Sequence, residues 1–202
     1  MLRKTQLKNG CTNMKKLSYP FSPEAVRELK VGDMVLITGK LFTGRDAVHK
    51  YLHDGGKSPV NLKNQIIYHC GPVTLQDKKT KKWTVTAAGP TTSIREEPYQ
   101  WEVIRDHGIV GVIGKGGMGQ KTLDACKEYG CVYFHAVGGA AQVLAEKIKS
   151  VDGLYLEEFG LPEAIWEMSV EDFPVVVTMD AHGNSLHKDV EAHSKEALKE
   201  VL

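Results

Sequence analysis

The stretch IVGVIGKGGMGQKT, from Ile109 to Thr122, decides how this chain is read. Ile109, Val110, Gly111, Val112 and Ile113 run without a polar interruption. A strand covered on one face only would alternate, so this run suits a central strand covered on both. Glycines at 114, 116, 117 and 119 then break it into a turn, and Gln120–Glu128 continues with helical periodicity. Strand, glycine-rich turn and helix make one unit of a layered α/β fold. The same grammar repeats outward in both directions. Strands are predicted at Met34–Thr38, Gln65–Cys70, Trp83–Ala88, Ile109–Ile113, Val132–Val137 and Val175–Met179. Helices are predicted at Arg45–Leu52, Tyr99–Asp106, Gln120–Glu128, Ala140–Ile148 and Lys188–Val201. The last helix is amphipathic, with Val190, Ala197, Leu198 and Val201 set between Lys and Glu.

Composition bounds what such a fold can do. The 202 residues fit a single domain, expected over 17–202, preceded by a basic N-terminal arm over 1–16. Hydrophobic residues make up 42%, charged residues 25%, and the net charge is +1. Nothing global therefore points to nucleic acid or an acidic membrane surface, and any anion must be gripped by a few placed groups. No apolar run is long enough to span a bilayer, and the basic N-terminus lacks the apolar core of an export signal. Cys11, Cys70, Cys126 and Cys131 include no CxxC pair, which suits reduced thiols in a cytoplasmic protein. Burial is the simpler reading of Cys126 and Cys131 than metal ligation. Lys78–Lys82 reads as a solvated hairpin tip.

The glycines gather after the predicted strands, where ligands bind in open α/β sheets, and the chemically active residues share those loops. In TGKLFTGRDAVHK (Thr38–Lys50), Arg45 and Asp46 are expected in the first turn of a helix. Asp46 suits that position; Arg45 does not, which leaves it either a surface partner of Asp46 or a two-pronged grip for a carboxylate. His49 and His53 are four apart on the same helix, but no third metal ligand is evident. His49 fits a supporting hydrogen-bond role better.

In AAGPTTSIR (Ala87–Arg95), Thr91, Thr92 and Ser93 offer three hydroxyls at an expected helix start, with Arg95 four residues after Thr91 on the same side. Simple N-capping would use one hydroxyl, not three with an arginine. The turn after Val112 contains a formal GxGxxG at Gly114, Gly116 and Gly119. The acidic residue that a dinucleotide site wants at the end of the next strand is missing, and Gln120 separates Gly119 from Lys121, so no P-loop forms. Lys115 remains, a cation in a glycine-rich turn with free N–H groups around it. His135 ends a strand and reads equally as core or site. Arg45, Arg95 and Lys115 together offer three positive charges. Two would match a dicarboxylate, and one would remain for the carbanion-like state formed when a proton leaves carbon beside a carboxylate.

These loops resemble the β region of class I fumarases and of L-tartrate dehydratase. The matching segments are GDMVLITGKLFTGRDAVHK, YHCGPV, AAGPTTSIR, GVIGKGGMG, VYFHAVGGAAQ, PEAIWEM and EDFPVVVTMDAHGNSL, together covering roughly residues 31 to 186. The resemblance implies a swivelling β/β/α domain, a mixed sheet with flanking helices, rather than a Rossmann fold. It implies reversible addition of water across a carbon–carbon double bond, with fumarate preferred over tartrate as substrate. It implies a [4Fe-4S] cluster held by a separate α subunit, in a heterodimer or α2β2 assembly, with no metal on this chain and no activity without α. It places Arg45, Arg95 and Lys115 on the substrate carboxylates and Thr91, with Thr92 beside it, at proton abstraction; Lys115 is also counted as catalytic. Asp46, His49 and Ser93 take supporting roles. Two rival readings use the same loops: a non-enzymatic dicarboxylate-binding regulatory module, and a nucleotide-dependent oxidoreductase.

Overall fold

A computed structural model describes residues 14–199. Most of the arm expected over 1–16, together with Cys11, lies outside the described residues. Within them the chain is already regular at Lys15–Ser18 (β1), so the domain starts ahead of the boundary drawn at residue 17. After the short helix Pro23–Arg27 (α1) comes the strand Met34–Thr43 (β2), then the helix Asp46–His53 (α2) and the strand Ile66–Tyr68 (β3). A hairpin follows, Val73–Gln76 (β4) and Trp83–Ala87 (β5), then the helix Glu97–His107 (α3). Next are Gly111–Gly114 (β6), Gln120–Tyr129 (α4), Val132–His135 (β7) and Ala141–Glu146 (α5). The antiparallel strands Ile148–Tyr155 (β8) and Ile165–Met179 (β9) and the helix Leu186–Lys199 (α6) complete it.

The main sheet has the order β1-β2-β3-β6-β7-β9-β8, and β2 also pairs with β9. That extra pairing closes β2, β3, β6, β7 and β9 into a ring, so the expected mixed sheet is curled into a small barrel. β2, β3, β6 and β7 are mutually parallel, and β9 runs antiparallel to both β2 and β7. Because side chains alternate across a strand, the curl sorts them into two cores. Val35, Ile37, Ile66, Tyr68, Phe134, Trp166 and Val177 belong to one. Phe42, Ile67, Val112 and Tyr133 face outward onto Val48 and Leu52 of α2, Val103 and Ile104 of α3, and Leu123 and Cys126 of α4. Gly111 is required by the tight curl: a Cβ there would lie 2.8 Å from the Phe134 ring.

Five strands escaped the sequence pattern or were cut short by it. β1, β4 and β8 were not expected, β2 was expected only to Thr38, and β9 only from Val175. Pro174 argues against a central strand, since it donates no ladder hydrogen bond. Pro174 nonetheless keeps regular register opposite Leu36, and the ladder shifts only beyond Phe173: Asp172 sits at φ 49° and Gly39 opposite at φ 137°, and the Asp172 N–H is donated to Thr38 Oγ1 at 3.0 Å. The α5 helix, expected to reach Ile148, ends at Glu146 because β8 begins there. α6 is helical over Leu186–Lys199, the expected end at Val201 lying outside the described residues, and its apolar side is uncovered, with Val190 and Leu198 more than half exposed.

Candidate active site

Parallel strands deliver their carboxyl ends to one rim, and here the rim is stitched together by backbone hydrogen bonds between loops. Gly44, after β2, donates its N–H to Tyr68 O at 3.0 Å. Thr91 donates to His69 O at 2.7 Å, Lys115 donates to Thr91 O at 3.3 Å, and Ser93 donates to Lys115 O at 3.0 Å. Thr91 is thus clamped between the ends of β3 and β6. Arg45 follows Gly44 on one side and Lys115 lies on the other. Strands two apart are separated by about 10 Å, within reach of arginine and lysine side chains from both flanks.

The local structure differs from expectation in instructive ways. Thr91 and Thr92 precede a single tight turn, Ser93–Glu96, instead of opening a helix, and Thr92 is extended and paired with Lys115. Thr91 and Arg95 therefore do not share a helix face. Neither threonine caps: the turn has no side-chain cap. The three hydroxyls also divide. Thr91 is half-buried and Thr92 exposed, whereas Ser93 is buried and turned inward. Two of the turn's backbone N–H groups, those of Lys115 and Gly119, are spent on neighbours. Gly119 N–H is donated to Glu97 Oε2 at 2.8 Å and Thr122 N–H to Glu97 Oε1 at 3.3 Å, so Glu97 caps α4.

Arg45 occupies the cap position of α2, one residue before the first turn, and offers the helix no cap hydrogen bond. Glu163, from the segment before β9, supplies it: its Oε2 accepts the Ala47 N–H at 3.1 Å while Oε1 pairs with Arg45 Nη2 at 3.2 Å. Arg95 pairs with Asp46. Asp46, Ala47, Lys50, Arg95, Tyr99 and Glu163 line an open cleft beside these two pairs. The Lys115 side chain runs the other way along the rim. It packs over Gly138, where a Cβ would sit 3.2 Å from Lys115 Cδ, so that glycine makes room for the lysine.

Beneath the rim lies a buried polar chain that the sequence pattern only half disclosed. His49 Nδ1 is 2.9 Å from Arg45 O, and its Nε2 is 3.0 Å from Gln100 Oε1. The same amide oxygen is 2.8 Å from His69 Nε2, and His69 Nδ1 is 2.8 Å from Ser93 Oγ. Tyr133 donates its hydroxyl to Ser93 Oγ at 2.9 Å. Burial pushes both imidazoles below their ordinary value, His69 well below it. A neutral His49 that donates Nδ1–H to a carbonyl has a bare Nε2, which needs a donor. The Gln100 amide supplies one when its NH2 group, otherwise without a partner, faces the two rings. His49 is thus held at both ring nitrogens. His69 sits at the end of a predicted strand, as His135 does, each a few residues ahead of a glycine, and that position is the signal that could have singled it out. His135 is half-buried with Nδ1 unpartnered, and burial lowers its proton affinity. Gln100 and Glu96 lie among helix residues that periodicity alone cannot mark.

His53 pairs with Glu102 on the surface, not with His49 through a metal. Among the described residues no three His, Cys, Asp or Glu side chains gather as a metal site. Cys70 lies in one core and Cys126 and Cys131 in the other, all fully buried, so these thiols do not fit an iron–sulfur cluster.

Comparison with known proteins agrees with this architecture. The family model described as the fumarase C-terminus matches residues 3–190. A Geobacillus stearothermophilus protein bearing the name fumarate hydratase class I is 59% identical over 184 residues, which is 91% of this chain and 35% of that protein. A Methanocaldococcus jannaschii protein named as an L(+)-tartrate dehydratase subunit beta is 42% identical over 183 residues, 88% of this chain and 93% of that one. The L(+)-tartrate dehydratase subunit beta of Escherichia coli is 35% identical over 176 residues, 86% and 87% of the two chains. The chain thus spans about a third of the fumarate hydratase relative and most of each tartrate dehydratase subunit. With the matched region running through every rim loop described above, the chain belongs to the fumarase C-terminus family.

Proposed function

We propose that this chain is the β subunit of a two-subunit iron–sulfur hydro-lyase that hydrates fumarate to L-malate reversibly and works with a cluster-bearing α subunit. One observation carries the reading: the loops after β2, β5 and β6, which hold Arg45, Thr91–Arg95 and Lys115, are joined along one rim by the backbone bonds Gly44–Tyr68, Thr91–His69, Lys115–Thr91 and Ser93–Lys115. Arg45 and Arg95 each already face a carboxylate, Glu163 and Asp46, the same chemistry that a substrate carboxylate would present. Lys115 offers its charge from the opposite side of Thr91, where negative charge would build as a proton leaves the carbon beside a carboxylate. Thr91 is the proton-abstracting group in this reading, with Thr92 beside it. A neutral alcohol is a weak base, and flanking cations are what make its deprotonated alkoxide accessible to serve. The cluster would supply Lewis-acid chemistry from the α subunit, since the described thiols of this chain do not form its site.

A second reading, the β subunit of an L-tartrate dehydratase, is favoured by the near-complete coverage of the two named β subunits. Identity favours fumarate. The experiment is anaerobic co-purification with the α subunit, followed by parallel assays of fumarate hydration and tartrate dehydration. Faster turnover of fumarate is expected. Lys115→Ala should lower kcat/KM by about 100- to 1,000-fold, the usual loss when one preorganised charge-stabilising donor is removed. Full activity in that variant would overturn the site assignment.

A further inference from the structure

Glu96 is fully buried, yet neither of its carboxyl oxygens has a hydrogen-bond donor. Its partner in space is Asp46, whose buried Oδ1 also lacks a donor while Oδ2 takes Arg95. Two carboxylates in contact inside a protein cannot both stay ionised, because like charges at that separation repel and burial removes the water that would screen them. One proton placed between them satisfies an oxygen on each side. Three orphaned oxygens then become one, a large saving in desolvation.

We propose that Glu96 is carried as the neutral acid and donates its proton to Asp46 Oδ1, so that Asp46 presents a single anionic edge to Arg95 and Glu96 acts as a positioning residue for the Arg95 fork. The groups facing it are few. Asp46 comes from α2, Arg95 from the same turn, and the Tyr133 phenol from β7. Burial first, and the neighbouring Asp46 second, raise the Glu96 carboxyl to about 8, so the shared proton is present at neutral pH and lost just above it. Ionisation would put a second negative charge beside Arg95, in competition with the substrate carboxylate. The consequence for catalysis rests on the hydro-lyase reading; the shared proton does not.

Two measurements separate these. Infrared difference spectra of the full chain, wild type against Glu96→Gln, read the proton directly. A protonated-carboxyl band present at pH 7, absent from the variant and converting to carboxylate as the pH passes about 8, is expected. No such band at pH 7 overturns the proposal. In the assembled enzyme, KM for the dicarboxylate should rise up to about tenfold between pH 7 and pH 9, as the competent fraction falls, with kcat moving less. Glu96→Gln, which keeps an N–H donor toward Asp46 and cannot ionise, should show a KM that is flat over that range. An equal rise in the variant overturns the link to Arg95. If the band behaves as expected and the assembled enzyme hydrates no dicarboxylate, the paired carboxyls stand and the hydro-lyase reading falls.

Discussion

At the cap of α2 an arginine stands where serine or aspartate would be locally better, and a glutamate more than a hundred residues away repairs the defect. Glu163 caps the helix and neutralises Arg45 with the two oxygens of one carboxylate. This exchange lets a cation occupy a helix N-terminus at the rim, where helix chemistry alone would not place it. Glu96 shows the converse, a residue whose cost is visible only in burial. Its folded proton affinity is raised, so its contribution to stability is fully present below the unfolded carboxyl pKa near 4.3 and is lost as pH rises to about 8. Urea unfolding of wild type and Glu96→Gln should therefore diverge as pH increases. The wild type is expected to lose on the order of a few kcal/mol relative to the variant by pH 8, with the gap constant beyond. A gap independent of pH from 5 to 8 would show that Glu96 is ionised in the folded chain. Comparing the two chains removes the opposite effect of His49 and His69, whose depressed values cost stability as pH falls below about 6.5 in both.

The elements carry the loops, and their registration depends on residues with no side chain. Gly114 ends β6 at the point where the Thr91–Arg95 loop crosses the rim. A Cβ there would lie 1.8 Å from Ser93 Oγ and 2.9 Å from the Tyr133 hydroxyl. Gly114→Ala must therefore push Ser93 away, breaking its bonds with His69 and Tyr133 and parting the Thr91 loop from Lys115. A loss of about 1–3 kcal/mol in denaturant unfolding is expected, together with lost activity in the assembled enzyme. Wild-type stability and rate in this variant would mean that the two loops are not mechanically joined. The strands with long apolar runs, β6 and β7, were legible from hydrophobicity. β8 was not, because its sequence IKSVDGLY is polar on the exposed side and looks like loop. The first ten residues of β9 were hidden by Pro174, which breaks the strand pattern in sequence yet keeps regular register opposite Leu36 in the sheet.

For the molecule as a whole, the rim is open, and under the proposed hydro-lyase reading it is a half-site that should hold a small dicarboxylate weakly. Calorimetry on the full chain alone should detect binding no tighter than about millimolar, whereas a regulatory dicarboxylate sensor would bind in the micromolar range. Micromolar affinity without a partner would favour the sensor over the half-enzyme. The sequence by itself determined the layered α/β class, the strand–glycine–helix rhythm and the loops that hold Arg45, Thr91, Arg95 and Lys115, because periodicity and turn chemistry are local properties written in neighbouring residues. Only the tertiary structure decided that β2 also meets β9 and closes the sheet, and that Glu163 serves Arg45. It alone joined His49, Gln100, His69 and Ser93 into one chain and set Glu96 against Asp46. Each of these depends on residues distant in sequence becoming neighbours after burial. The free energy that selects them, the cost of leaving a buried polar group unpaired, does not exist until the chain has folded.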